Sequence, residues 1–225
     1  MRRIKIVPEE YYHVLNRGNN KQLIFLDNRD YARFLFLLIY FQSNISIYNI
    51  GSFITYFIRH SVFNISGKML EKMIRNRSVE LIVFTLEPNH FHITIKEIEE
   101  NGISNYMQRV LNAYTKYFNT KHKKSGHLFQ GPYKAIHIKN NNQLLYLSTY
   151  IHRNPREISK WKGKEHLYPW SSYQDYVTNN RWGVLLVQDI ILGQFSNKEE
   201  YDNFVKSSTA KELKENLDNS YLADL

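Results

Sequence analysis

Apolar and polar positions along this chain alternate in two rhythms, and the switches between them mark out the elements. Tyr11 to Leu15 is a short β-type run that ends in the turn cluster Asn16-Arg17-Gly18-Asn19-Asn20. Leu23 to Leu26 is a second short apolar piece. Asp27 stands where a helix N-cap belongs, and Phe34, Leu35, Leu37 and Leu38 supply an apolar face for a helix from Arg29 to about Phe41. Breaks at Ser43-Asn44, Gly51 and Ser66-Gly67 punctuate residues 43–77, where Phe53 to Phe63 and Lys68 to Ile74 each suit a helix. Glu80 to Leu86 reads as a buried strand, Pro88-Asn89 as a turn, and His90 to Lys96 as an alternating second strand. Ile103, Met107, Val110, Leu111 and Tyr114 form the stripe of a helix over Ile103 to Asn119. A basic loop, Lys121 to Gly126, leads to a strand within Leu128 to Ile138 that is interrupted near Gly131-Pro132. A last helix runs from Asn142 to about Arg153 and stops before Asn154-Pro155, because proline disfavours helical geometry in the residue preceding it.

The order strand, helix, strand, strand, helix, strand, helix predicts an α+β fold. Its expected form is a ferredoxin-like antiparallel sheet with helices packed on one face, a helical insertion at 43–77 and a C-terminal extension. The expected division is one domain over 1–177 and a helical or flexible tail over 178–225, with a helix near Lys198 to Lys206 and a charged stretch from Lys211. Residues 156–177 hold Trp161 and Tyr168-Pro169-Trp170-Ser171-Ser172-Tyr173, read as an irregular packed segment.

Composition narrows the chemistry. An apolar fraction of 43% supports a packed core. The 30 Lys and Arg against 21 Asp and Glu give a net charge of +9, which favours a polyanionic partner. The 17 Tyr and 13 Phe suit either an ordinary core or stacking on unpaired bases. With no cysteine, disulfides, thiolate metal sites and cysteine nucleophiles are excluded. The N-terminal residues lack an apolar run long enough for a signal peptide, and Ile47 to Phe63 is too interrupted to span a membrane. A cytoplasmic protein with no membrane partner is expected.

Two pieces carry candidate chemistry. In a strand, residues two apart share a face, so His90 and His92 present their imidazoles together while Phe91 faces the other way. That pair suits a metal, and equally an ordinary surface histidine pair. On the last helix Tyr150 and Asn154 are four apart and share a face. An Asn oxygen is an acceptable ligand for a hard cation, and a metal on His90, His92 and Asn154 would lie beside the Tyr150 hydroxyl. A core or rim tyrosine is the alternative. Tyr146, four before Tyr150, reads as a partly exposed helix residue, and His152 lies about 200° around the helix from Tyr150.

Pro88-Asn89-His90-Phe91-His92 resembles the His-hydrophobic-His motif of the HUH endonuclease superfamily. Tyr150-Ile151-His152-Arg153-Asn154-Pro155 resembles the nucleophile helix of its single-tyrosine transposases. Asn16-Arg17-Gly18-Asn19-Asn20, Gly126-His127-Leu128-Phe129-Gln130-Gly131 and Tyr168-Pro169-Trp170-Ser171-Ser172-Tyr173 are similar to segments of the REP-associated tyrosine transposases. The five pieces stand in that family's order over roughly residues 10–177. Residues 43–77, the tail and Pro132, which stands where relatives often carry Arg, depart from the pattern.

The resemblance implies an enzyme that nicks and joins single-stranded DNA, with Tyr150 as nucleophile and Mg²⁺ or Mn²⁺ as cofactor. It implies a 5′-phosphotyrosine link, a free 3′-hydroxyl, and a hairpin-bearing substrate of the repetitive palindromic kind, handled by a monomer or a homodimer. Arg17, Arg109, Lys123, Lys124, Lys134 and Arg153 are candidate phosphate contacts, and Asn19 and Gln130 candidate readers of exposed bases. Two other readings compete: a non-catalytic single-strand-binding module, and a metal-dependent phosphoesterase using activated water, which needs further carboxylates near the histidines; Glu87 and Glu97 are close in sequence, but Glu97 follows the exit of the strand.

Overall fold

The computed structural model describes residues 5–209. Four strands form one antiparallel sheet: β1 (Tyr11–Arg17), β2 (Val79–Glu87), β3 (His90–Glu97) and β4 (Lys134–His137). Their order across the sheet is β2-β3-β1-β4. This is the ferredoxin-like arrangement that the element order predicts, in which each helical crossover separates strands that are not hydrogen-bonded neighbours.

Helix α1 (Asn28–Tyr40) starts where expected, with the Asp27 carboxylate accepting from the Arg29 and Asp30 amides. The insertion at 43–77 is helical, as α2 (Ile50–His60) and α3 (Gly67–Arg75). Helix α4 (Gly102–His122) is longer than its apolar stripe, so the expected basic loop begins inside it. Its first amides, at Gly102 and Ile103, donate to the buried Glu97 carboxylate at 3.0 and 2.6 Å. Glu97 is thereby committed to holding a helix end.

Residues directly opposite one another in the ladder share a face of the sheet. Phe91 and its neighbours form the core face. There Phe34 of α1 lies 5.0 Å from Phe91 between ring centroids, and Tyr114 of α4 packs on Phe34 at 4.9 Å. The helix α5 (Asn141–Arg153) breaks the expectation of helices on one face. It lies on the opposite face, where Tyr150 meets His92. The reason lies in the sheet itself: Leu15, Thr85, His92 and Thr94 are on that second face and are buried, so it needs a cover as well.

Three of the sequence pieces meet at one end of the sheet. The Gly18 amide donates to Asn89 O, the Asn19 amide to Leu128 O and the Gln130 amide to Arg17 O, which sews the first turn to the β2–β3 turn and to residues 128–130. Gly18 is required by close approach: a Cβ there would lie 2.1 Å from Gln22 O. The Tyr168–Tyr173 piece runs along the outer edge of β2. The Leu86 amide donates to Trp170 O and the Ser172 amide to Phe84 O, both at 2.9 Å, so the edge strand is covered.

Residues 178–209 are packed onto this body. After α6 (Tyr173–Val177) come α7 (Asp189–Leu192) and α8 (Lys198–Ser207), and Trp182, Leu185, Leu186, Ile191, Tyr201 and Val205 are buried. The charged stretch from Lys211 lies outside the described residues.

Candidate active site

The β2–β3 turn builds the centre of the site. With only Pro88 and Asn89 between the strands, Glu87 pairs directly with His90, and Thr85 with His92. Glu87, His90 and His92 therefore stand on one face, and each offers a ligand atom within 4.8 Å of the others. Glu87 and His92 are buried; His90 is one-fifth exposed.

His90 is held from both sides. Its Nδ1 lies 2.7 Å from Asn89 Oδ1, and its Nε2 lies 3.1 Å from Glu87 Oε1. An amide oxygen only accepts, so Nδ1 carries the proton toward Asn89. Nε2 and the carboxylate oxygen then face each other as two atoms on which a cation would be held. A buried carboxylate at 2% exposure is costly without such a partner.

The Tyr150 ring stands edge-on to His92, with centroids 5.7 Å apart and planes at 89°. Burial, then the negative charges of Glu87 and Glu157, push its phenol pKa above the ordinary value. The phenol thus keeps its proton at neutral pH. One helical turn on, Asn154 is 2% exposed and its Nδ2 has no hydrogen-bond partner among the described residues. Amide oxygen and nitrogen are interchangeable by a flip, and an oxygen in that position is an acceptor available to a cation. The two imidazoles and the carboxylate are a donor set suited to Mn²⁺ or Mg²⁺.

The back of α5 is fixed by the C-terminal segment. His152 Nε2 lies 2.9 Å from Ser172 Oγ and its Nδ1 lies 2.8 Å from the Tyr201 hydroxyl of α8, while its ring stacks on Tyr173 at 5.0 Å. His152 therefore points away from Tyr150, as its helical angle predicts. Burial lowers its pKa to about 3. The unfolded ring takes up a proton below its usual pKa of about 6.5, whereas the folded ring refuses one until about pH 3, so stability falls as pH drops through this window. From pH 7 to pH 5 the loss expected from His152 is about 2 kcal/mol. Urea midpoints at the two pH values test this, and equal midpoints would contradict it.

The remaining candidates divide by position. Arg17 lies opposite His90, and Lys134 opposite Leu15 beside His92, so both are on the site's face of the sheet. Arg153 is half-buried, three residues past Tyr150. Asn19 and the exposed Gln130 lie on the turns sewn to the β2–β3 turn. Lys123 and Lys124 are exposed at the C-terminal end of α4, which the Lys121 and His122 contacts to Asp30 bring to this same end. Arg109 does not join them. It donates to Ser43 O at 2.6 Å and covers the Phe41 ring at the opposite end of α4, about 21 Å along the axis from Lys123 at 1.5 Å per residue. Tyr146 is 47% exposed, which sets it outside the buried cluster.

Of the cluster and its neighbours, Glu87 entered the sequence reading only as a carboxylate for the water-activating alternative, and His13 did not enter it. Glu87 was legible in the two-residue turn, whose pairing puts it beside His90. His13 was legible only once strand order was known: it lies diagonally from His92 on the neighbouring strand, with His13 Nε2 2.9 Å from His92 Nδ1.

A strand bearing paired histidines thus faces a helix bearing a buried tyrosine on the second face of the ferredoxin-like sheet. Residues 55–154 match the family model described as transposase, IS200 like, a span that holds His90, His92, Tyr150 and Asn154. No curated protein matches the chain. A solved structure described as a REP-associated tyrosine transposase bound to a REP hairpin is similar in fold, with a TM-score of 0.52 and 14% identity over 88% of this chain and 94% of that one. The resemblance drawn from the motifs is thus met twice, in sequence over 55–154 and in fold over most of the chain. Among the described residues no helix is long and apolar enough to cross a membrane.

Proposed function

We propose that this protein is a DNA transposase that nicks and joins single-stranded, hairpin-bearing DNA through Tyr150. The observation that carries the proposal is the contact of the Tyr150 ring with His92, which puts a phenol at the edge of a cluster of metal-type ligands. In support, the fold is similar to that of a transposase described with a bound REP hairpin.

Glu87, His90 and His92, with Asn154, are the residues that would hold Mg²⁺ or Mn²⁺. Held there, such an ion would supply Lewis-acid polarisation of the scissile phosphate. Tyr150 Oη forms a bond to phosphorus and the P–O3′ bond breaks, leaving a 5′-phosphotyrosine and a free 3′-hydroxyl. The proton lost by the phenol is balanced by the one gained at the 3′-oxygen. Because one phosphoester replaces another, attack by an incoming 3′-hydroxyl rejoins the strand without an external energy source. Arg17, Lys134 and Arg153 line the approach as phosphate contacts, with Lys123 and Lys124 further out, and Asn19 and Gln130 meet exposed bases.

Cutting of a labelled hairpin oligonucleotide in Mn²⁺ and in EDTA tests the reading. Cutting is expected in Mn²⁺ alone. Glu87→Gln keeps the shape of the side chain but removes its charge, so Mn²⁺ affinity is expected to fall about 10- to 100-fold, as for loss of a ligand or its support. Equal Mn²⁺ titrations for Glu87→Gln and the unsubstituted protein would remove Glu87 from the ligand set. Metal-independent DNA binding without cutting would instead favour the single-strand-binding module.

A further inference from the structure

We propose that His13 is a positioning residue for metal capture: it accepts the Nδ1 proton of His92 and so presents the His92 Nε2 lone pair to the site shared with Glu87 and His90. This rests on the metal-binding reading of that cluster. His13 Nε2 and His92 Nδ1 are 2.9 Å apart, and the two rings lie edge to edge and nearly coplanar, with centroids at 5.1 Å and planes at 24°, as an in-plane N–H···N bond requires. Both residues are buried, so water does not replace this bond.

The polarity of that single hydrogen bond decides what His92 can do. A neutral imidazole has one N–H and one lone pair, and the partner of one nitrogen determines the state of the other. If His92 Nδ1 donates to His13, its Nε2 carries a lone pair and can ligate. With the opposite polarity, His92 Nε2 carries hydrogen and cannot. Histidines that bind metals are ordinarily set in the competent tautomer by a carboxylate, a carbonyl or water. His90 follows that pattern through the Asn89 amide oxygen at 2.7 Å. For His92 the same task falls to a second imidazole on β1. Strand pairing explains the placement: His92 pairs with Leu15, and His13 stands two residues along on the same face.

Two readouts test the proposal on the full chain without measuring activity. Long-range ¹H–¹⁵N correlation spectra of the metal-free protein report which His92 nitrogen is protonated, and calorimetric titration reports Mn²⁺ affinity. The expected results are a proton on His92 Nδ1 in the unsubstituted protein and a roughly 10- to 100-fold weaker Mn²⁺ affinity in His13→Leu. His13→Gln, whose amide oxygen can accept the same proton, is expected to restore affinity to within about threefold. A proton on His92 Nε2 in the unsubstituted protein would overturn the proposal, and this measurement stands even if His13→Leu does not fold. Unchanged Mn²⁺ affinity in a folded His13→Leu would overturn it too. His92→Ala separates the two levels: if that variant also binds Mn²⁺ normally, the metal reading itself is wrong and His13 has nothing to position.

Discussion

Tyr150→Phe is expected to lower strand cutting by at least about a thousandfold while leaving affinity for hairpin DNA within about twofold. The size follows from the role. Loss of a nucleophile removes the covalent route, and only slow background hydrolysis remains. The fold should survive, because the ring supplies the packing: Tyr150 is 6% exposed and its ring edge meets His92. A gel-shift titration beside a cleavage time course separates binding from chemistry. Cutting within about tenfold of normal would favour the phosphoesterase that uses activated water, for which Glu87 supplies a carboxylate beside the histidines.

Asp175→Ala is expected to destabilise the protein by about 3–5 kcal/mol, the usual cost of stranding one member of a buried charge pair. Asp175 is fully buried on α6. It accepts from Arg181 Nε at 2.7 Å, Arg181 Nη2 at 2.8 Å, the Arg181 amide at 3.0 Å and Trp182 Nε1 at 3.1 Å. These bonds tie the chain beyond 178 to the segment that covers β2. In a chain of this size about 2–4 °C is lost per kcal/mol, so melting should fall by about 10 °C. A urea-derived change under about 1 kcal/mol would mean that residues 178–186 do not share the cooperative unit.

Much of the architecture was legible because each element announces itself locally. Asp27 caps α1, Pro155 ends α5, and alternation marks β3. The ferredoxin-like class followed from the order of the elements. What escaped is information that exists only after strands pair and layers stack. Helices were expected on one side of the sheet, yet α5 covers the second face, since burial of Thr85, Leu15 and Thr94 is a property of pairing and not of any one strand.

The site divides in the same way. His90, His92, Tyr150 and Asn154 could be read from period and spacing within single elements. Arg109 was placed near the site by its charge and helix, and the structure puts it two helical turns from the wrong end of α4. Residues 178–209 carried no readable pattern of function. Tyr201 and Ser208 nevertheless bond His152 and Thr149, so this segment braces the back of the tyrosine-bearing helix.

The central claim is that Tyr150 becomes covalently attached to DNA. It is tested most directly by incubating the protein with hairpin single-stranded DNA in Mn²⁺, digesting with protease and nuclease, and locating the nucleotide-bearing peptide by mass spectrometry. A phosphonucleotide on Tyr150, present with Mn²⁺ and lost with EDTA, is the predicted result. Attachment to Tyr146, or cleaved DNA with no modified peptide, would contradict it.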